Sequence, residues 1–562
     1  MLRSLLLATA LTLPALPAPA QDVAGPYLAG RSAQMQDDFR AASRYLAQAL
    51  SHDPSNPLML EALTGAYISL SEFDRADAVA QQLLDREGTN QVAGLAHLAD
   101  MAEAEDWEGI LSALDDGLSV GPLYDGLARG WALAGAGRTD AALAAFDAVG
   151  EDQSVRAFGI YHKALALAAA ERFEEAEAIL SEADDLRLTR RGLEARLQIL
   201  SQLGRSDAAL ALLDGTDGIA EPALDAARQR LEAGETLDFD IAPDARAGLA
   251  EVGFDIANAV VGQTAPSYAL LYSRSAEFLR PGHVEATLLS AALFEEMGQY
   301  ELAIETYAKV PEGSDMRPTA ELGRAQAMAA AGREEAAIDT IATLAEEYPD
   351  RLSVQMALGD ALREARRFEE AQAAYDAAVG LFEGDETAQW IVYFSRAITS
   401  ERIGDWPAAE ADFRKALELN PEQPQVLNYL GYSLLERREK LDEALAMIER
   451  AVEASPDSGY IVDSLGWGLY RLGRYQEAVE PMERAVELMP VDPVVNDHLG
   501  DVLWAVGRRM EARFQWQRAL SFAETAESDE ADPDRIRRKL EVGLDKVLEE
   551  EGETPPKMAD GG

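Results

Sequence analysis

The residues best suited to general acid–base or metal chemistry are His52, His97, His162, His283 and His498, and their spacing supports neither. Each falls in a different stretch of chain, no two stand at metal-ligand spacing, and the zinc-binding HExxH pattern is absent. His498 lies near Asp497 and Asp501, which makes a local polar cluster and no more. A nucleophilic serine on a G-x-S-x-G turn does not occur. Gly135-Ala136-Gly137 is glycine-rich, but no strand precedes it and no phosphate-binding lysine follows. Carboxylates are so abundant, 100 Asp and Glu against 50 Lys and Arg, that close acidic pairs carry no information. The chain has the side chains of catalysis without a constellation of them, so no catalytic residue, metal site or cofactor is expected.

What orders the chain instead is a period of about 34 residues. Leu358-Gly359, Leu430-Gly431, Leu465-Gly466 and Leu499-Gly500 are followed by Ala371, Ala444, Ala478 and Ala512, 12 or 13 positions after the glycine. A large residue stands four positions later (Tyr375, Ile448, Met482, Trp516) and an alanine three beyond that (Ala378, Ala451, Ala485, Ala519). This spacing predicts two antiparallel helices per unit. The glycine and first alanine mark their close approach, and the large residue is expected to fill the gap to the following unit. Gly298, Gly332, Gly404, Gly473 and Gly507 are placed to end first helices with a positive φ. Pro349, Pro421, Pro456 and Pro490 end second helices by pushing the residue before them out of helical geometry.

This pattern resembles the tetratricopeptide repeat (TPR) family. Units anchored at 257, 291, 325, 359, 397, 431, 466 and 500 carry the match most strongly over 285–520. Weaker anchors at 30, 64, 98, 130, 164 and 197 extend it over 25–215, with Trp107, Phe146 and Phe173 in support. The resemblance implies an all-α fold, a TPR solenoid: a right-handed superhelix of about 13–14 antiparallel helix pairs, some degenerate. The expected organisation is a signal peptide at 1–20, an N-terminal repeat block at 21–214, an irregular break at 215–249 around Pro222, Pro243 and Asp238–Asp240, and a C-terminal block at 250–525. A capping helix follows at 532–549, begun by Asp532-Pro533 with an apolar stripe of Ile536, Leu540, Leu544, Val547 and Leu548, then a frayed tail at 550–562. The break is too short for a catalytic domain.

Arg3, the apolar run Leu5–Leu13 and Ala18-Pro19-Ala20 read as an export signal cleaved after Ala20. That run is too short and too proline-broken to span a bilayer, and no second apolar segment of about 20 residues appears. Cys is absent, so neither disulfides nor a lipid-bearing cysteine is expected. Together these features point to the periplasm. The net charge of −50 opposes nucleic acid and anionic lipid, and favours basic partners or simple solubility.

In TPR proteins the first helix of each unit lines a concave groove. The resemblance implies groove positions at Asn428, Tyr432, Tyr460, Asp463, Trp467, Tyr470, Arg471, Asp497, Asp501 and Trp504. Aromatic residues framed by acids suit a peptide platform. The alternative is that these aromatics pack against the adjacent repeat or the capping helix. Asp463 and Asp497 argue against capture of a C-terminal carboxylate and for a basic or neutral extended segment. The runs Gly459–Trp467 and Asn428–Tyr432 also resemble bacterial envelope TPR proteins, some of which are adaptors for periplasmic proteases. The expected function is thus a non-catalytic, protein- or peptide-binding module in the periplasm. The competing reading is a structural scaffold for assembling an envelope complex.

Overall fold

A computed structural model describes residues 20–182, 189–215, 222–384, 386–523 and 531–556. Among these the chain is all-α, with 31 α-helices, one short 3-10 turn and no strand. The expected signal peptide at 1–20 lies outside the described residues except for Ala20, and so do 557–562 of the expected tail.

The helices begin and end for local reasons. Side chains of Asp38, Asn56, Asn90, Asp106, Asp405 and Asp492 each accept a hydrogen bond from a backbone N–H of the turn that follows. Proline occupies the first turn at Pro57, Pro122, Pro266, Pro424, Pro493 and Pro533. Between the two helices of a unit the chain takes a positive φ, as at Gly298 (70°), Gly404 (94°) and Gly473 (76°). Ser71, Glu105, Glu171, Arg366 and Arg438 adopt the same turn at φ 55–61° without being glycine, at a cost of about 1–2 kcal/mol each. Ser71, Glu105 and Glu171 fall in the N-terminal units that read faintly in sequence.

Within a unit the small and large positions pack on each other. A Cβ on Gly359 would lie 2.5 Å from Tyr375, and one on Gly466 or Gly500 would lie 2.3 Å from Met482 or Trp516. Gly130 stands in the same relation to Phe146, at 2.3 Å. The large residue therefore covers the glycine of its own unit, where the sequence reading had it filling the gap to the next one. Its neighbour is set by antiparallel pairing, which returns the second helix across the first.

The chain divides into two compact units, one running to Leu344 and one starting at Ala345. The division does not fall in the 215–249 stretch, because the helices after that stretch fold back onto the helices before it. Helix Ala245–Val260 packs against Pro122–Gly135, with Gly248 set against Trp131. Helix Pro266–Leu279 packs against Pro57–Ser69 and Gln91–Glu103, where Gln91 donates to Tyr268 and Tyr272 at 2.6 and 3.0 Å. Phe73 stacks on Phe278 at 4.2 Å, Phe39 meets Phe294 edge-on, and Arg40 pairs with Glu305 at 2.6 Å. One apolar core consequently runs from Ala33 to Ala286. Within 215–249, helix Pro222–Glu232 precedes an irregular strap. The strap is tied down by Ser201, Gln202 and Gln198 on one side and by Arg280 on the other.

The C-terminal unit is simpler. Its pairs are Leu352–Glu364 with Phe368–Gly380, Trp390–Ile403 with Trp406–Leu419, Pro424–Glu436 with Leu441–Ala454, Gly459–Arg471 with Tyr475–Leu488, and Pro493–Ala505 with Arg509–Ala523. The expected single capping helix at 532–549 is two helices, Pro533–Val542 and Leu544–Glu551. Gly543 breaks them with φ 86° and ψ 158°, pressed against the Trp504 ring. The second helix also reaches into the stretch expected to be tail, ending at a left-handed Gly552.

Candidate functional site

First helices of consecutive units in the C-terminal unit line a groove of about 940 Å³. They are Trp390–Ile403, Pro424–Glu436, Gly459–Arg471 and Pro493–Ala505, and each contributes side chains because one repeat of sequence returns each helix to the same face. Of the residues named from sequence, Asn428, Tyr432, Tyr460 and Asp463 line it. Tyr460 is 47% exposed, whereas Asn428 is 7% exposed and its Oδ1 has no hydrogen-bond partner. Phe394, Tyr429, Met489 and His498 are among the further wall residues and were not anticipated.

The other six residues lie elsewhere. Trp467 stacks on His498 at 3.9 Å and on Tyr470 at 4.9 Å, and its Nε1 donates to Glu436 at 3.1 Å. Arg471 meets the same Glu436 at 3.5 Å. Tyr470 is buried, and burial pushes its hydroxyl well above the usual phenol range, with Asp501 adding to the effect. Asp497, Asp501 and Trp504 are covered by the C-terminal helices. Lys539, fully buried, donates to Asp497 at 2.8 Å and to both oxygens of Asp501 at 2.7 and 2.8 Å. Trp516 Nε1 donates to Asp501 at 2.9 Å, and Arg509 lies over the Trp504 ring at 4.8 Å. For these residues packing prevails over an open groove, because a buried carboxylate pair needs the cation that Pro533–Val542 supplies.

His498 pairs with Asp463, at 3.0 Å from Nδ1, and not with the neighbouring Asp497 or Asp501. Burial alone would lower its pKa; the Asp463 carboxylate outweighs this, Asp497 and Asp501 add to it, and the net shift is upward from 6.5. The clue in sequence was register: Asp463 and His498 are 35 residues apart, about one repeat. Lys539 had a clue too, standing three residues after Ile536 on the apolar stripe, where a charge requires a buried partner. Among the described residues no group of three metal-ligating side chains comes together. No described helix is long and apolar enough to cross a membrane. The arrangement can bind through aromatic, amide and carboxylate surface.

A tetratricopeptide repeat family profile matches residues 322–386, 394–459 and 437–493. The chain carries tetratricopeptide repeats. Over 182 residues it is 30% identical to a TPR repeat-containing protein of Pseudomonas aeruginosa, covering 32% of this chain and 30% of the relative. Over 100 residues it is 39% identical to the lipoprotein NlpI homolog of Haemophilus influenzae, covering 17% and 30% respectively. The chain thus spans under a third of the length of these curated relatives. Among solved structures, the Cut9–Hcn1 hetero-tetramer of the APC/C aligns over 93% of this chain and 97% of its own at 15% identity, with a TM-score of 0.39. YrrB, a TPR protein with an unusual peptide-binding site, aligns over 33% and 92% at 20% identity and a TM-score of 0.27. TPR units are interaction scaffolds.

Proposed function

We propose that the C-terminal unit is a non-catalytic module that holds an extended segment of a partner protein in its groove. The observation that carries this is the groove of about 940 Å³, lined by exposed Tyr460 and by Tyr432, Asn428 and Asp463. Aromatic, amide and carboxylate side chains on successive first helices suit an extended segment, which offers side chains and backbone N–H groups in turn. Four carboxylates (Glu401, Glu436, Asp463, Asp492) against Arg402 and His498 favour a basic or neutral segment. The module works in the periplasm, a reading supported by the export-type residues 1–20 and by partial likeness to an envelope lipoprotein. A role as adaptor for a periplasmic protease fits that location. A scaffold role draws support from the N-terminal unit, whose inner face is filled by its own helices. The deciding experiment is crosslinking in the periplasm with the full chain and with Tyr432→Ala/Tyr460→Ala. Loss of specific partners from the variant supports the groove; an unchanged partner set leaves the scaffold. A mature protein that still begins at Met1 rules out the export reading.

A further inference from the structure

We infer that Asp463 is a cation subsite of the groove, taking the ammonium or guanidinium of a lysine or arginine side chain on the partner protein. The inference rests on the groove reading and adds the chemistry of one position within it.

Repeat register carries the first part. Asn428, Asp463 and Asp497 each stand three residues before the small position of their units, at Gly431, Gly466 and Gly500. In the last unit this position is already occupied. The chain's own helix Pro533–Val542 lies across it and sets Lys539 against Asp497 and Asp501 at 2.7–2.8 Å. The ammonium is 5.8 Å from the Trp516 ring centroid, and Lys539 is fully buried. In the last unit the chain itself thus sets a lysine against the carboxylate at this register, shared with Asp501, whose counterpart one unit back is Trp467.

One unit back, Asp463 lines the groove and is 7% exposed. A carboxylate accepts about four hydrogen bonds, and His498 Nδ1 meets it at 3.0 Å. Two units back, Asn428 stands at the same register as a neutral acceptor, 7% exposed and without a partner for Oδ1. A segment crossing both first helices would meet a carboxylate at Asp463 and a neutral amide at Asn428. The register thus gives the groove a direction as well as a charge.

The test uses the full chain and two labelled probes, octalysine and octaglutamine, followed by fluorescence anisotropy at about 50 mM salt. Asp463→Asn keeps the side-chain shape, and Asp442→Asn, at an exposed site outside the groove, removes the same charge. The expected result is octalysine binding that falls about tenfold in Asp463→Asn, is regained in part by Asp463→Glu, and changes less than about twofold in Asp442→Asn. Equal losses in Asp463→Asn and Asp442→Asn overturn the subsite, since diffuse attraction to an acidic surface explains them. Octaglutamine bound in a Tyr432-dependent way, with no Asp463 dependence for octalysine, overturns the subsite and leaves the groove. Binding of neither probe overturns both. Near-ultraviolet circular dichroism of Asp463→Asn separates lost binding from lost fold: a loss of binding with a changed spectrum counts against the subsite unless Asp463→Glu restores both.

Discussion

The two units use one repeat to opposite ends. In the N-terminal unit the face formed by first helices is filled: Ala245–Val260 and Pro266–Leu279 lie on it, and Trp131, Tyr124 and Tyr272 become core. In the C-terminal unit the same face stays open over four successive first helices and closes only at its end, where Lys539 enters. An aromatic or acidic residue at a groove position is therefore not a site by its sequence register alone. What decides is whether another part of the chain carries the complementary group. The N-terminal unit supplies its complements internally, as Arg191 to Glu251 and Gln91 to Tyr268, whereas Asn428 and Tyr460 are supplied with nothing comparable.

The strongest way to break that comparison is to remove a complement from the filled face. Glu251 is fully buried and pairs with Arg191 and, at 3.1 Å, with His283. Glu251→Ala removes the one fully buried carboxylate of the network and leaves Arg191 and His283 to Glu285 alone, at 3.1 and 3.4 Å, and the N-terminal transition in chemical denaturation is expected to lose about 3–5 kcal/mol. A loss under about 1 kcal/mol would mean that water reaches the pair and the face is not filled. The same network predicts a pH window. Burial raises the Glu251 carboxyl, but Arg191 and His283 outweigh it and hold the pKa down at about 2. A lowered acid contributes stability that is present above its ordinary 4.5 and is lost as pH falls from there toward 2. His283, which burial lowers and Glu251 raises further, ends above its ordinary 6.5. Its contribution is full below 6.5 and is lost as pH rises through the raised value. Asp255 is lifted by burial against His162 and pulls the other way in acid. The network is therefore expected to contribute most between about pH 4.5 and 6.5, and Glu251→Ala should flatten a plot of midpoint against pH.

A smaller effect tests what the units share. Gly130 against Phe146 and Gly500 against Trp516 are the same close approach, each leaving 2.3 Å for a Cβ. Gly130→Leu and Gly500→Leu should each cost about 1–3 kcal/mol in the unit that carries them. These contacts were legible in sequence because small and large residues recur at a fixed offset within one helix pair. Ser71, Glu105 and Glu171 obscured the pattern without changing it, since the turn tolerates a non-glycine at modest cost. The fold-back of 245–279 was not legible. Its partners lie about 180 residues away, as Gln91 and Tyr272 do, and no local periodicity encodes a contact of that range. The site divided for the same reason. Asn428, Tyr432 and Asp463 line the groove at the register the family resemblance implied and Tyr460 at the start of its unit, while the burial of Asp497, Asp501 and Trp504 depends on Lys539 and Gly543, residues outside the repeat.

The smallest expected stability change marks the open face itself. Tyr460 is 47% exposed at the start of its helix, and its side chain touches the groove, where Tyr272 in the N-terminal unit is 3% exposed and packed. Truncating a buried aromatic costs about 3–5 kcal/mol, so Tyr272→Ala should destabilise its unit by that order. Tyr460→Ala should leave thermal and chemical midpoints within about 0.5 kcal/mol of the parent, and its effect should appear in partner capture alone. The pair forms a discriminating measurement because both residues are tyrosines and differ in what surrounds them: Tyr272 is packed onto the first-helix face of its unit, and Tyr460 stands exposed on that of the other. If Tyr460→Ala destabilised as much as Tyr272→Ala, the C-terminal face would be closed like the N-terminal one, and a groove would no longer distinguish the two units.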